Sequence, residues 1–440
     1  NTMKKLLLIL AAAATAWTAT AQTKALDNLN KRLLKSDATV ADPKKAGSAG
    51  TWVDRATVLL DASNIYTKEL IAGFSIEQSL NLIPDEYEEI VEVEVGGKPH
   101  KKYIFKNYDI YVDENGSVAF WSTKNEFRPG ALNGAFDALK RAHELDPSIT
   151  SGKGYIVAQN LLNQFQTNGM NLYNLGQKAE AGALFGKAAE VNEMLGEVDS
   201  VMIYYAGVAY NEAGELDKAL EYLRKAKEIG YDQQGGIDSY ISYILQQQGK
   251  NEEAIATLEE ALVKYPTNNE LVTRLIDLYV VSKRSPDKVV AMLDKAKALD
   301  STNVQLYLME GSLWEQMGES EKAEAAFLKS TEIDPKNHVG YMNAGIMKAR
   351  KGDALVEQAN KLDINDVKGY NALIEQAIPY YDGAIELLEK AHEINPKEIG
   401  IVEMLKGLYY QKQQDGGPAM EAKFKHYSDL LKSMQEEETK

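Results

Sequence analysis

Between residues 160 and 350 the apolar positions return every three to four residues, so that run after run reads as an amphipathic helix. In "GELDKALEYLRKAKEIG" (214–230), Leu216, Leu220, Leu223 and Ile229 share a face with Ala219 and Ala226, two small residues where leucine would serve. With Ala219 as landmark, Gly214 stands five before it, Leu223 four after and Ala226 seven after. The same template fits Gly176, Ala181, Phe185 and Ala188, then Gly249, Ala254, Leu258 and Ala261, and again Gly318, Ala323, Phe327 and Ser330. Weaker copies are Gly130, Ala135, Leu139 and Ala142, then Val289, Leu293 and Ala296, then Ala384, Leu388 and Ala391. The landmarks 219, 254, 289 and 323 are 35, 35 and 34 residues apart, a period that signals stacked supersecondary units. Upstream of each template lies a second amphipathic helix, such as "VMIYYAGVAYNEA" (201–213), in which Gly207 is matched elsewhere by Gly169, Gly311 and Gly345. Small residues at these points predict close helix crossings, with Leu223 or Phe327 filling the layer between them. Pro147, Pro266, Pro335 and Pro396 stop the second helix and turn the chain into the next unit.

Two stretches break the period. Between the helix around "TWVDRATVLLDASNIYTKEL" (51–70) and Gly130, the segment 88–122 changes to period-two alternation, with Val91, Val93 and Val95 facing one way and Glu92 and Glu94 the other. Gly96-Gly97 and Asn115-Gly116 supply turns, which predicts a three-stranded antiparallel meander over 86–124. The second break follows Gly352: Ala384 lies 32 residues on where the template has five, an insertion of 27. "LDINDVKG" (362–369) reads there as a loop, "YNALIEQA" (370–377) as a helix, and Pro379 as the first turn of a lengthened second helix.

In "LYLMEGSLWEQMGESEKAEAAFLKSTEIDP" (306–335), Tyr307, Gly311, Trp314, Gly318, Ala323, Phe327 and Pro335 occupy signature positions of a known pattern, with Glu310 in place of the usual leucine and Ser330 in place of the last alanine. The chain thereby resembles the tetratricopeptide repeat (TPR) family. The resemblance implies an all-α fold, a right-handed superhelical solenoid of about eight helix pairs, here carrying the small β insertion near its N-terminus. The expected organisation is a signal peptide (1–21), N-terminal helices opening the first repeat (22–85), the β-meander (86–124), the repeat array (125–350), an insertion within a repeat (351–378), C-terminal helices (379–435) and a frayed tail (436–440). In this family the first helix of each unit lines a concave groove. By register the groove candidates are Asn163, Gln166, Tyr173 and Asn174, then Tyr204, Asn211 and Glu212, then Tyr243, Gln246 and Gln247, then Glu315 and Gln316. Amides and tyrosines suit a peptide backbone and its apolar side chains. The lysine and asparagine clamp of TPR domains that grip acidic chaperone tails is not matched, since Tyr204, Val208, Ser239 and Tyr243 stand at its places.

Charge and composition narrow the function. A formal net charge of -16 argues against general attraction to nucleic acid or anionic lipid, and with no cysteine the fold depends on packing. Lys4 and Lys5 precede an apolar run to Ala14, and "ATA" (19–21) before Gln22 reads as a cleavage site, with Met3 as the start. This leader and the phrase "SDATVADPKKAGSAGTWVDRA" (36–56) resemble exported TPR proteins of Bacteroidota, which implies a periplasmic location and, as one option, association with the outer membrane through a partner. No later segment is long and apolar enough to span a bilayer. The five histidines form no HExxH-type pair, "SGKG" (151–154) lacks the frame of a phosphate loop, and no serine sits in a nucleophile motif, so neither a metal nor another cofactor is expected. The expected function is non-enzymatic: a scaffold that binds cell-envelope proteins through the groove and the β insertion. Two rivals are kept. A glycan-binding module would use the insertion's Tyr103, Tyr108, Tyr111 and Trp121, which are also its candidate protein contacts, and an envelope hydrolase would need a buried carboxylate or histidine pair between the insertion and the array.

Overall fold

The structure, a computed structural model, describes residues 2–438; the side chains of residues 2–21, 413–416 and 437–438 fall outside that description. The expected leader and the last residues of the tail therefore lie outside the described side chains. The chain divides into two compact units, Asn1–Asp232 and Gln233–Lys440.

In the first unit, α1 (Thr2–Ala41) and the short α2 (Pro43–Ala46) lead into α3 (Ala49–Asn64). After α4 (Ile76–Leu82) come β1 (Glu89–Val95), β2 (Lys98–Ile104), β3 (Tyr108–Val112) and β4 (Val118–Thr123), then α5 (Ala131–Leu145). Helices α3 and α5 pack as one antiparallel pair, so the whole β segment lies in the connection between the two helices of a pair. A Cβ on Gly134 of α5 would come within 3.2 Å of Leu59, which shows how near the two axes run. Leu29 and Leu33 of α1 close over this pair, and Asp37 pairs with Arg55 at 2.6 Å and Arg128 at 3.3 Å. Two further pairs follow, α6 (Tyr155–Asn174) with α7 (Lys178–Met194) and α8 (Ser200–Glu212) with α9 (Leu216–Glu228).

The sheet is a four-stranded antiparallel meander in the order β1-β2-β3-β4, one strand more than the alternation predicted. The turns at Gly96-Gly97 and Asn115-Gly116 are where the sequence put them, but the stretch 98–112 is folded back on itself at Lys106-Asn107. Phe105 N–H donates to Tyr108 O at 3.0 Å across that two-residue turn. Neither turn residue has a positive φ, so the turn needs no glycine and leaves no glycine signal.

The second unit contains α10 (Gly236–Gln247) with α11 (Asn251–Lys264), α12 (Asn269–Val281) with α13 (Asp287–Leu299), α14 (Val304–Gln316) with α15 (Ser320–Ile333), and α16 (His338–Asn360) with α17 (Val367–Ile394). The last element, α18 (Ile399–Glu438), is two helices joined at a kink where Gly417 has φ 68° and Pro418 follows. Its helical assignment continues to Glu438.

One contact recurs in four of these pairs. A Cβ on Gly207 would lie 2.8 Å from Leu223 and 3.3 Å from the Ala219 carbonyl oxygen; on Gly169 it would lie 2.6 Å from Phe185; on Gly345, 2.9 Å from Leu388; and Gly311 is closed in the same way by Phe327. Ala219, Leu223 and Ala226 are fully buried, as are Ala323, Phe327 and Ser330. Ser330 stands where the pattern has alanine because its hydroxyl donates to Phe327 O at 2.6 Å and accepts from Asn337 Nδ2 at 3.3 Å. Glu310, in the place of a leucine, pairs with Lys297 at 2.9 Å. The turn inside five of the pairs uses a left-handed residue: Gly176 (φ 80°), Gly214 (77°), Gly249 (72°) and Gly318 (79°), with Lys283 (51°) doing so without glycine's freedom between α12 and α13.

The insertion after Gly352 does not form a separate segment. It lengthens both helices of the α16/α17 pair, while Gly345 still meets Leu388 as Gly207 meets Leu223. Only 361–366 interrupts the helices, so the stretch read as loop shrinks to that turn, and Pro379 sits well inside α17 rather than in its first turn. The helix has already started at Val367, capped by Asp366, whose carboxylate accepts from Gly369 N–H at 2.9 Å.

Candidate protein-binding surfaces

The first helix of each pair carries the residues expected to bind. In the first unit, Asn163 and Asn174 on α6 are exposed and Gln166 is half-buried. Tyr173 and Glu212 are spent on each other: the Tyr173 hydroxyl donates to Glu212 Oε1, Lys178 Nζ lies 2.8 Å from Glu212 Oε2, and the same ammonium sits 3.1 Å from the centre of the Tyr173 ring. Burial alone would raise the Glu212 carboxyl, but the hydrogen bonds from Lys178 and Tyr173 outweigh it and hold it below the ordinary carboxylate range. Tyr204 is half-buried against Tyr231, with ring centres 5.0 Å apart, and burial pushes its phenol up. Asn211 is half-buried beside Glu212.

In the second unit α10, α12 and α14 touch in succession, which places their side chains along one row. Tyr243 is exposed, with the Arg274 guanidinium 5.3 Å from its ring centre; Gln247 and Gln316 are exposed and Gln246 is half-buried. Glu315 is half-buried and paired with Arg350 at 2.6 Å. The structure thus leaves Asn163, Asn174, Tyr243, Gln247 and Gln316 open to a partner and uses Tyr173, Glu212 and Glu315 to tie helices together.

The β insertion differs more from expectation. Tyr108, Tyr111 and Trp121 are buried, at 0%, 7% and 6% exposure, and are not free contact surface; Tyr103 is half-buried. Strand alternation explains it. Tyr108, Ile110 and Trp121 lie on one face and pack on Leu70, Ile76 and Ile83 from the α3–α4 region, while Lys102, Asp109, Tyr111 and Phe120 occupy the other face. The open ring faces that a glycan module needs are absent among these four residues.

That second face borders a cleft of 640 Å³, walled on the far side by α6, α7 and the start of α5. Asp109 is buried in it at 4% exposure, with Lys102 Nζ 2.8 Å from Oδ2 and Lys124 Nζ 2.9 Å from Oδ1, the latter an ion pair without hydrogen-bond geometry. The hydrogen bond to Asp109 raises the Lys102 ammonium above its ordinary range against a smaller effect of burial. Lys187 donates to Asn133 Oδ1 at 2.6 Å, and Asn168, Asn171 and Gln177 supply further amides. Asp109 is the one buried carboxylate among the described lining residues, and it is neutralised by lysines, so the carboxylate pair required of a hydrolase is not assembled there. Sequence reasoning missed this cleft. Its signals were the run "YDIYV" (108–112), a single charged residue flanked by apolar and aromatic ones, and Asn171, which stands in a register that other pairs fill with apolar residues.

Family models described as tetratricopeptide repeat match residues 202–229, 240–268 and 304–337. The chain carries tetratricopeptide repeats. The matched stretches of this TPR protein fall on α8/α9, α10/α11 and α14/α15. Among solved structures it is similar to a TPR repeats protein of Bacteroides fragilis, at 21% identity and TM-score 0.31, over 57% of this chain and 98% of that one. It is likewise similar to the C-terminal part of a TPR repeat-containing protein of Cytophaga hutchinsonii, at 17% identity and TM-score 0.38 over 61% and 94%. A TPR protein of Parabacteroides merdae matches at 16% identity and TM-score 0.34 over 56% and 98%. No curated protein matches the chain. Among the described residues of the TPR protein, no helix is long and apolar enough to cross a membrane and no group of His, Asp or Glu is placed to hold a metal ion.

Proposed function

We propose that this TPR protein is an exported, non-catalytic scaffold of a Gram-negative periplasm that binds cell-envelope proteins along the first helices of its repeats. Within each unit the helix pairs are read as successive turns of a right-handed solenoid. The observation that carries the reading is the division of labour on those helices. Glycine-on-Leu or glycine-on-Phe contacts hold four of the pairs from behind, while Asn163, Asn174, Tyr243, Gln247 and Gln316 remain exposed and offer both donors and acceptors to a peptide. The leader motif supports export, and a mature chain starting at Gln22 supports a soluble periplasmic form.

The test has two parts. Expressed with its leader in a Gram-negative host, the protein should be recovered from the periplasmic fraction beginning at Gln22; retention of Met3 or purely cytoplasmic recovery contradicts export. Crosslinked capture from envelope extract should yield a defined partner that is lost with Tyr243→Ala/Gln247→Ala and kept with Glu221→Ala on the outer face. Equal capture by both variants removes the first-helix surface as the binding site.

A further inference from the structure

The cleft between the sheet and the α6/α7 pair holds two unused sets of hydrogen-bonding groups. The first is the outer edge of β4. Lys124 N–H donates to Asn107 O at 2.8 Å, which fixes the phase of the β3/β4 ladder: Phe120 and Ser122 bond toward β3, and Trp121 and Thr123 turn their peptide groups outward. The beginning of this edge is already taken. Gly73 N–H donates to Val118 O and Val118 N–H to Phe74 O, both at 2.8 Å, and Ser75 bridges Ser117 antiparallel, so a short piece of the chain lies there as an added strand and then leaves. From Trp121 to Thr123, which line the cleft, no segment continues that row among the described residues.

The second is Asn171. It lines the same cleft, is 7% exposed, and its Nδ2 has no hydrogen-bond partner. Five residues before the place of the turn glycine in the repeat template, the other repeats put Ala209, Ile244, Leu278, Leu313 and Met347, all buried and apolar. A buried amide donor without a partner costs free energy that any of those residues would avoid, so its place here calls for an acceptor that arrives from outside.

From these groups we infer that the cleft binds an extended peptide segment of a partner protein, seated as a strand on the free edge of β4 beyond Val118, with a peptide carbonyl accepting from Asn171. The occupant continues the row that residues 73–75 begin, and β-strand addition supplies its main-chain bonds. The lining favours a peptide over a saccharide. Tyr111 is stacked on Phe120 with ring centres 4.6 Å apart and has the Lys102 ammonium 5.5 Å from its own ring centre, while Trp121 is buried, so no open aromatic face is offered to a sugar ring. The volume of 640 Å³ lies within the range of specific ligand sites. The inference rests on the reading of the protein as a protein-binding scaffold and adds a site away from the first-helix residues.

A phage-displayed library of random dodecapeptides, panned on the full-length protein, provides the probe, and the selected peptides are measured by fluorescence anisotropy. Thr123→Pro removes an outward N–H without breaking a ladder bond and should weaken binding by about tenfold or more, while Thr123→Ala should not. Asn171→Leu should weaken the same peptides yet leave the melting temperature equal or higher, because it removes an unpaired buried polar group; a purely structural role for Asn171 would lower it. Tyr243→Ala/Gln247→Ala should bind the peptides unchanged. Recovery of no peptide, of peptides indifferent to both cleft variants, or of saccharide binding that depends on Asn171 overturns the assignment. Peptides lost only with the Tyr243/Gln247 variant also overturn it while leaving the scaffold reading in place, whereas loss of envelope-partner capture in neither variant set would strike at that reading alone.

Discussion

A glycine in this array is worth what stands opposite it. Gly207 faces Leu223 and the Ala219 carbonyl inside 3.4 Å, so Gly207→Ala should overpack the crossing and cost about 1–3 kcal/mol. Gly407, exposed on α18 with nothing within 4 Å of a built Cβ, should behave in the opposite way, Gly407→Ala stabilising by about 0.5–1 kcal/mol through helix propensity. Urea unfolding of the two variants decides it, and a shift of the same sign in both would break the argument. Glu324 offers a second residue-scale test. Burial alone would raise its carboxyl, but hydrogen bonds from Lys348 and Lys351, at 2.9 and 3.0 Å, outweigh it and hold the group below its ordinary 4.5. The unfolded chain therefore takes up this proton first as pH falls, so the stabilisation is full above 4.5 and is lost as pH drops through the lower folded value. The melting-temperature gap between the parent and Glu324→Gln should accordingly close below that pH; a gap constant from pH 7 to 3 would show that the pairing contributes nothing. At this scale the sequence was legible wherever a residue type repeats in register, as with Gly169, Gly207, Gly311 and Gly345. Asn171 departs from an apolar register that the sequence already shows, but its meaning followed only from its burial and its unpaired Nδ2.

At the scale of elements, both departures from the repeat fall in the same connection, between the first and second helix of a pair: the sheet between α3 and α5, the added helical length between α16 and α17. The separation of Gly345 from Leu388 is 43 residues against 16 for Gly207 and Leu223, and the difference is the 27 counted from the template. Deleting residues 353–379 restores the shorter spacing and places Gly352 five residues before Ala384. The shortened protein should remain folded, with cooperative thermal unfolding and a loss of helical circular dichroism matching the residues removed; a molten or aggregated product would mean that the extension is needed for the pair. The position and size of this insertion could be read from spacing, but its shape could not. Gly352 ends a helix in the template, yet here it stays helical and is packed against Tyr381, because chain beyond it continues the same apolar stripe. The strand count failed for a related reason: a two-residue turn without positive φ carries no glycine to mark it.

Over the whole chain, the buried apolar residues are distributed so that each unit holds clusters of its own. Leu59, Leu139, Leu161 and Phe165 belong to one in the first, and Leu388, Leu405, Tyr409 and Tyr427 to one in the second. Residues 233–440 produced alone should therefore be helical and unfold cooperatively, as repeat arrays do when a run of neighbours is kept. Circular dichroism and calorimetry would check this, and a fragment without a thermal transition would show that the second unit depends on the first. The placement of both insertions has a practical corollary. Length added at the turn inside a pair leaves the close crossings undisturbed, and the chain has met that condition once with strands and once with helices. The turns at Gly176, Gly214, Gly249 and Gly318 are thus ready-made grafting ports: a designed hairpin or reporter peptide spliced there should be displayed while the helix pair that carries it stays intact.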